Sequence, residues 1–249
     1  MEKLKDVISD IGVFIYGGIR TLPLTIAGTL TILGLFTANF AIIFFLLGYL
    51  IGIPLISFGC NAIGSLFFDL KLVSNPFKVK KSDVCNINIP YLTMKNMKES
   101  QEEETVLCSQ WMAMILFFFG YIIGNAVELF SLDTHDDVIK VSDSTESDIV
   151  QKEGNRKMQA AISLCSTVVL AIGIIGYRVY SGCEASLNSP VTIIVFVVSI
   201  AFFGGLGYLW YLTLGTIGQH RLSDIFGIAN RLLPPSAIIN APVACVPIA

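Results

Sequence analysis

Two polar residues near the end of an apolar stretch are the first candidates for chemistry. The stretch CSQWMAMILFFFGYIIGNAVELF, which begins at Cys108, is apolar enough to lie in lipid, yet it contains Asn125 and Glu128. A carboxylate inside a membrane is costly to bury and is therefore a candidate for moving protons or ions. Because the stretch ends two residues after Glu128, we favour solvation of this carboxylate at a helix end. Asn125 is predicted to bond a neighbouring helix.

A second polar cluster, formed by His220, Arg221 and Asp224, follows the last apolar stretch. These residue types could serve acid–base or phosphate chemistry, as in a lipid-modifying enzyme. The sequence has no second set of polar residues to converge on them, and no Gly-x-Ser-x-Gly, His-Glu-x-x-His or phosphate-binding glycine loop. His and Cys residues lack the spacing of a metal site. We therefore expect a helix end here, no cofactor and no enzymatic activity.

The elements that position these residues are apolar and mostly free of charge. Hydrophobic residues form 54% of the chain and charged residues 14%, with a mean hydropathy of +0.72. Soluble domains carry about 25% charged residues. Charges are absent from residues 21–68, 105–127, 158–177 and 185–219. Since about 20 apolar residues cross a bilayer, the sequence predicts an all-α membrane protein with five crossings, or alternatively four.

The first charge-free stretch is long enough for two helices. A turn at Thr37-Ala38-Asn39 would divide the predicted hairpin, residues 21–68, into limbs at 22–36 and 40–58. The short first limb is expected to tilt or to re-enter the membrane, and Pro54 is expected to kink the second limb. The other predicted crossings are residues 107–130, 158–180 and 191–219. They are separated by a polar loop at 69–106, an acidic loop at 131–157 and a short loop at 181–190.

Both ends of the chain are predicted to lie outside the crossings. Residues 1–20 are amphipathic and are predicted to form an interfacial helix on the bilayer, or alternatively to pack on a partner protein. Residues 220–249 contain four prolines, which forbid a regular helix. This tail is predicted to be an extended apolar strap against protein. Its candidate partner contacts are Phe226, Leu232, Leu233 and Ile238.

The charges indicate orientation and exclude one class of partner. Ten of the 16 Lys and Arg residues fall on the side of the N-terminus, which the positive-inside rule places in the cytoplasm. A net charge of −3 with scattered cations gives no face for nucleic acid. The loop at 69–106 has a lysine-rich half and then an acidic block, Glu102 to Glu104, and is expected to be solvated. Cys85, Cys108 and Cys183 fall near the same membrane face, so a disulfide among them is possible. The predicted cytoplasmic location of that face argues against one, because thiols stay reduced in the cytosol.

Two pairs of glycines have the small-xxx-small spacing that lets membrane helices approach closely. They are Gly48 with Gly52 and Gly120 with Gly124, and both pairs are predicted to pack against other helices. Four aromatic residues fall toward the ends of predicted helices: Trp111, Tyr177, Trp210 and Tyr211. They are expected to belong to interfacial aromatic belts.

The segments WMAMILFFFGYIIGNA, from Trp111, and NFAIIFFLLGYLIGIPLISFGCNAIGSL, from Asn39, resemble integral membrane proteins of large double-stranded DNA viruses. This resemblance implies a structural protein of a virion membrane beneath a capsid, without catalytic residues. Its partners would be the lipid bilayer and neighbouring membrane or capsid proteins. The alternatives are a small channel or transporter using Asn125, Glu128 and the Pro54 kink, or less plausibly the lipid-modifying enzyme.

Overall fold

The computed structural model describes residues 2–69, 78–80, 103–105, 109–131, 146–180 and 190–218, together with Ser223 and Ile225. Five helices are long and apolar enough to cross a membrane, as the sequence predicts. Their apolar spans are Gly17–Thr37, Phe40–Ser65, Gln110–Ser131, Lys157–Tyr180 and Pro190–Ile217. The predicted tail contacts Phe226, Leu232, Leu233 and Ile238, and the cluster His220, Arg221 and Asp224, lie outside the described residues. Cys85, Cys108 and Cys183 lie outside them too.

The first helix, α1, runs without a break from Glu2 to Thr37. It is not divided near residue 20, so the predicted interfacial helix is not a separate element. Its apolar span, Gly17–Thr37, is long enough to cross a membrane and is longer than the limb predicted at 22–36. The predicted limb was shorter because it began after Arg20, at the start of the charge-free stretch. Pro23 instead lies inside the helix.

The turn after α1 lies where the sequence predicts it. Ala38 has a positive φ of 49°, a conformation that turns the chain sharply. The side chain of Asn39 then accepts a hydrogen bond from the backbone N–H of Ala41 at 2.9 Å and so caps the next helix. The chain returns through α2 (Phe40–Leu47), a π-helical turn (Gly48–Gly52) and α3 (Ile53–Asp69).

The sequence predicts a kink at Pro54, and the structure has a π-helical turn just before this proline, at Gly48–Gly52. A proline cannot donate to the carbonyl four residues earlier, here that of Leu50, and its ring clashes with that carbonyl. Widening the preceding turn to i→i−5 bonding relieves this clash. The backbone N–H of Ile53 accordingly donates to the carbonyl of Gly48.

A small antiparallel ribbon interrupts the loop that follows α3. Strand β1 (Lys78–Lys80) pairs with strand β2 (Glu103–Thr105), and Lys80 lies opposite Glu103 in the register. Within this ribbon the opposite charges of Lys80 and Glu103 therefore face each other across the strands, which favours the pairing. The fold is otherwise helical within the described ranges.

Helix α4 (Gln110–Ser131) forms the centre of the bundle. It packs along α6 (Pro190–Gly218) and α5 (Glu146–Tyr180), and it also contacts α3, the π-helical turn and α1. Of its apolar span 67% is buried, against 11% for the span of α5 and 17% for that of α6. The outer helices thus present apolar surface to lipid, while α4 is surrounded by protein.

Candidate functional site

Glycines allow α4 and α6 to cross with their backbones in contact. A methyl group at Gly120 would overlap the carbonyl of Gly204, and one at Gly207 would overlap the carbonyl of Phe117. Gly124 lies against the ring of Tyr211, where a methyl carbon would come within 3.0 Å. Such close approach is the use that membrane helices make of small residues, since it maximises van der Waals contact.

In the other predicted pair, Gly48 packs closely against a neighbouring helix and Gly52 does not. At Gly48 a methyl carbon would lie 2.8 Å from the ring of Trp210, whereas at Gly52 it would meet nothing within 4 Å. Asn125 is buried on the central helix. The packing positions predicted from the sequence therefore face neighbouring protein at Gly48, Gly120 and Gly124, and open space at Gly52.

Trp111 connects α1, α4 and α5 at the end of the bundle where α4 begins, here called the Trp111 end. Its indole N–H donates to the carbonyl of Ile19 at 3.1 Å. That carbonyl lies four residues before Pro23, which has no N–H to offer it. Trp111 therefore supplies the hydrogen bond that the proline removes. The ring is only 1% exposed, so it is not the belt residue that the sequence predicts.

Arg178 contacts the ring of Trp111 as well. Its guanidinium carbon lies 4.4 Å from the centroid of the Trp111 ring, within cation–π range. The side chain is buried and lies in the last turn of α5, where a cation is favoured by the helix dipole. Arg178, the charged residue near the end of the α5 span, therefore packs α5 against α4.

Trp210 repeats this arrangement at the π-helical turn. Its indole N–H donates to the carbonyl of Phe44 at 3.3 Å, and its ring lies over Gly48. The backbone hydrogen bonding is irregular in this region, since the N–H of Gly48 is shared between the carbonyls of Phe44 and Phe45, and the N–H of Ile53 bonds five residues back to Gly48. An extra donor from α6 strengthens the weakened ladder. Both tryptophans of the chain thus bond backbone carbonyls of the first hairpin.

Glu128 takes part in a polar network that also includes Tyr121, Tyr211 and Ser223, here called the Glu128 network. The Tyr211 side chain is hydrogen-bonded to the side chains of Glu128 and Ser223. The Tyr121 hydroxyl donates to the backbone carbonyl of Ser223 at 2.8 Å. Ser223 is fully buried, and Ile225 beside it belongs to the hydrophobic core. The network therefore attaches the segment after α6 to α4 and α6.

Between the Trp111 end and the Glu128 network, aromatic rings fill the bundle. Phe45 stacks on Tyr49 and Phe117, with centroids 5.4 and 5.7 Å apart, and meets Tyr121 edge-on at 4.9 Å. The Tyr49 hydroxyl donates to the carbonyl of Pro23 at 3.2 Å. All of these rings are almost completely buried. Offset and edge-on pairs of this kind add specific attraction to the packing.

Sequence reasoning missed Tyr121, Tyr211, Ser223 and Arg178 as members of polar contacts. A signal for Trp111 exists in retrospect, because a proline inside an apolar helix implies a carbonyl that needs a donor from elsewhere. Nothing in the sequence indicates which residue supplies it.

The chain was compared with protein-family models, curated proteins and solved structures, and none of the three comparisons gives a match.

Proposed function

We propose that the chain is a non-enzymatic, multi-pass structural protein that anchors a protein layer to a membrane. The observation that carries this proposal is that polar side chains within the spans are used to join helices. Trp111 and Trp210 bond backbone carbonyls, Arg178 covers an aromatic ring, and Glu128 bonds Tyr211. These polar groups form their hydrogen bonds and ring contacts within the protein, so they are not directed at a substrate.

The packing also favours this proposal over a channel. A channel requires polar groups that line a continuous path through several crossings. Along α4 the described interior consists instead of stacked rings, with Phe45, Tyr49 and Phe117 at its centre. Glu128 lies near one end of α4 rather than midway along it.

The resemblance to membrane proteins of large DNA viruses suggests which membrane and which protein layer the chain would connect. In that setting the bilayer lies beneath a capsid, and loops outside the spans contact the shell. The ribbon of β1 and β2 belongs to the loop on the predicted cytoplasmic side and carries two of its lysines, Lys78 and Lys80. Such a loop offers a contact surface that needs shape and a few anchor residues but no reactive groups.

Crosslinking mass spectrometry on the native membrane or particle tests this proposal. We expect amine-reactive crosslinks from loop lysines to coat proteins in a regular stoichiometry. A matched variant, Lys78→Arg with Lys80→Arg, keeps the charges but removes two reactive amines. It should lose the crosslinks at those two positions while retaining the same stoichiometry in the membrane.

Two outcomes would overturn the proposal. The first is a chain that carries no coat crosslinks in a membrane where coat protein is present. The second is selective ion flux through vesicles containing the purified chain, abolished by Glu128→Gln but unchanged by Thr31→Val at a lipid-exposed position. That second result would establish the channel alternative.

A further inference from the structure

Many hydroxyl groups in the spans bond back to a carbonyl of their own helix. Thr31 donates in this way to Ala27 at 2.7 Å, and Thr213 donates to Leu209 at 2.8 Å. Such a bond satisfies a hydroxyl group where lipid offers it no partner. Ser57 on α3 differs, because its side chain is only 2% exposed and its hydroxyl oxygen has no hydrogen-bond partner within the described ranges.

A second polar atom of this kind lies in the first turn of α4. The side-chain amide nitrogen of Gln110 is buried, and none of the residues that the structure describes accepts a hydrogen bond from it. Leaving a buried polar group unpaired lowers the folding equilibrium constant by about five- to 150-fold. For this reason buried polar groups of native proteins are nearly always paired, either with protein or with ordered water.

The packing of the helices brings these two atoms together. α3 packs on α4, and the ring contacts show that the first hairpin and α4 run antiparallel. Ser57 lies eight residues after Tyr49, and Gln110 lies seven residues before Phe117, the ring that Tyr49 meets. Both residues therefore lie about 11–12 Å from that ring contact in the same direction. Because seven or eight residues make about two helical turns, they also share the facing sides of α3 and α4.

We infer that Ser57 and Gln110 bind one water molecule between α3 and α4. The amide nitrogen of Gln110 can only donate hydrogen bonds, whereas the Ser57 hydroxyl can both donate and accept. The bridging group must accept from Gln110 and must also form a bond with Ser57, and water can do both. Two polar partners are sufficient to hold an enclosed water molecule.

The enclosure of the site favours water over a larger ligand. Both polar atoms are buried by the surrounding protein, so a lipid headgroup would have to separate α3 from α4 to reach them. A water molecule requires only a small rotation of the Gln110 side chain, which is flexible and half-buried. Since Gln110 begins α4, the water can enter from the nearby end of the bundle.

A bridging water distinguishes this contact from the rest of the core. Toward the centre of the bundle, Tyr49 and Ile53 are buried in the hydrophobic cluster. At Ser57, two turns further along, α3 is joined to α4 through a molecule that exchanges with solvent. Removing such a water is costly, because the polar atoms on both helices lose their partner. Neither the water nor its two partners require a coat protein.

Ser57→Ala tests the inference by the sign of its effect on stability. If the hydroxyl holds a water molecule, its removal breaks the bridge, and we expect the folding equilibrium constant in mixed micelles to fall about fivefold. If the hydroxyl has no partner, its removal should raise that constant. Ser65→Ala is the matched control on the same helix, because Ser65 is exposed and its hydroxyl donates to the carbonyl of Ala62 at 2.8 Å. A rise for Ser57→Ala, or equal changes in the two variants, would overturn the inference.

Water-edited solid-state NMR of the full chain in lipid vesicles identifies the bridging molecule. With ¹³C at the Cβ of serine, the signal of Ser57 is the one lost in Ser57→Ala. We expect magnetisation from water to reach this carbon about threefold faster than the Cβ of Ser166, a lipid-exposed serine within the α5 span. The rate should fall to that of Ser166 in Gln110→Met, which removes the second partner of the water. Equal rates for the two serines in the native chain would mean that Ser57 and Gln110 pair directly or stay unpaired, and would refute the bridge.

Discussion

The indole N–H of Trp111 donates to the carbonyl of Ile19, which Pro23 leaves without a donor in its own helix. The two residues are 92 positions apart in sequence. In lipid an unsatisfied backbone carbonyl is expensive, so a proline inside a crossing must be compensated by a neighbour. Here the compensation joins the first hairpin to the central helix.

We expect Trp111→Phe to lower the free energy of unfolding by about 1–2 kcal/mol, because the Ile19 carbonyl loses its donor. In a chain that already carries Pro23→Ala, a backbone N–H is restored at position 23, and the same substitution should cost less. Circular dichroism during SDS titration in mixed micelles measures both costs. Equal costs in the two backgrounds would show that Trp111 does not compensate Pro23.

Gly120→Ala should destabilise the bundle by about 1–3 kcal/mol, because the added methyl group overlaps the backbone of α6 and the core cannot expand without loss. Gly173→Ala is the control, since a methyl group there meets nothing within 4 Å. The control should leave the unfolding transition unchanged or raise it slightly. If both variants behave alike in the same SDS titration, the close crossing of α4 and α6 is not required.

Gly48→Ala and Gly52→Ala, two variants in the same π-helical turn, test whether contact with Trp210 or the small-xxx-small spacing determines the effect of an added methyl group. The methyl group at position 48 would displace the Trp210 ring and weaken its hydrogen bond to Phe44. We expect a red-shifted tryptophan emission and a loss of about 1 kcal/mol for this variant only. Fluorescence in a Trp111→Phe background isolates the signal of Trp210. A shift of the same size for Gly52→Ala would contradict the assignment.

Tyr121→Phe should loosen the segment after α6, because the carbonyl of Ser223 loses its donor. Trypsin cleavage after Arg221, two residues earlier in the sequence, should become about two- to tenfold faster, as expected for the loss of one hydrogen bond. Tyr208→Phe, at a half-buried position of α6, is the control and should not change the rate. Cleavage at the wild-type rate in Tyr121→Phe would argue against attachment through this bond.

Apolar length and turn chemistry were enough to predict five helices long enough to cross a membrane and the turn at Ala38 and Asn39. Both are local properties of the chain, set by the cost of charge in lipid and by backbone sterics. The central position of α4 was not predictable in this way. Its apolar residues resemble those of α6, and hydropathy does not distinguish a helix surrounded by lipid from one surrounded by protein.

The contacts of the site depend on pairs of residues that are distant in sequence. Glu128 lies three residues before the end of α4, and its bond to Tyr211 could not be inferred from α4 alone. The two small-xxx-small pairs have the same sequence spacing, yet Gly52 faces open space while Gly48 packs against Trp210. The spacing alone therefore does not determine which glycine packs.

The bond between Trp111 and Ile19 also bears on how the protein is made. Ribosomes add about 5–20 residues per second, so a separation of 92 residues corresponds to a delay of about 5–18 s. The first hairpin is completed within that interval, while the donor for its proline-freed carbonyl has not yet been translated. Ile19 lies next to Arg20, the charged residue that precedes the charge-free stretch 21–68, and so lies within reach of interfacial water. Placing the proline close to the membrane boundary therefore gives the nascent helix a temporary partner until α4 is inserted.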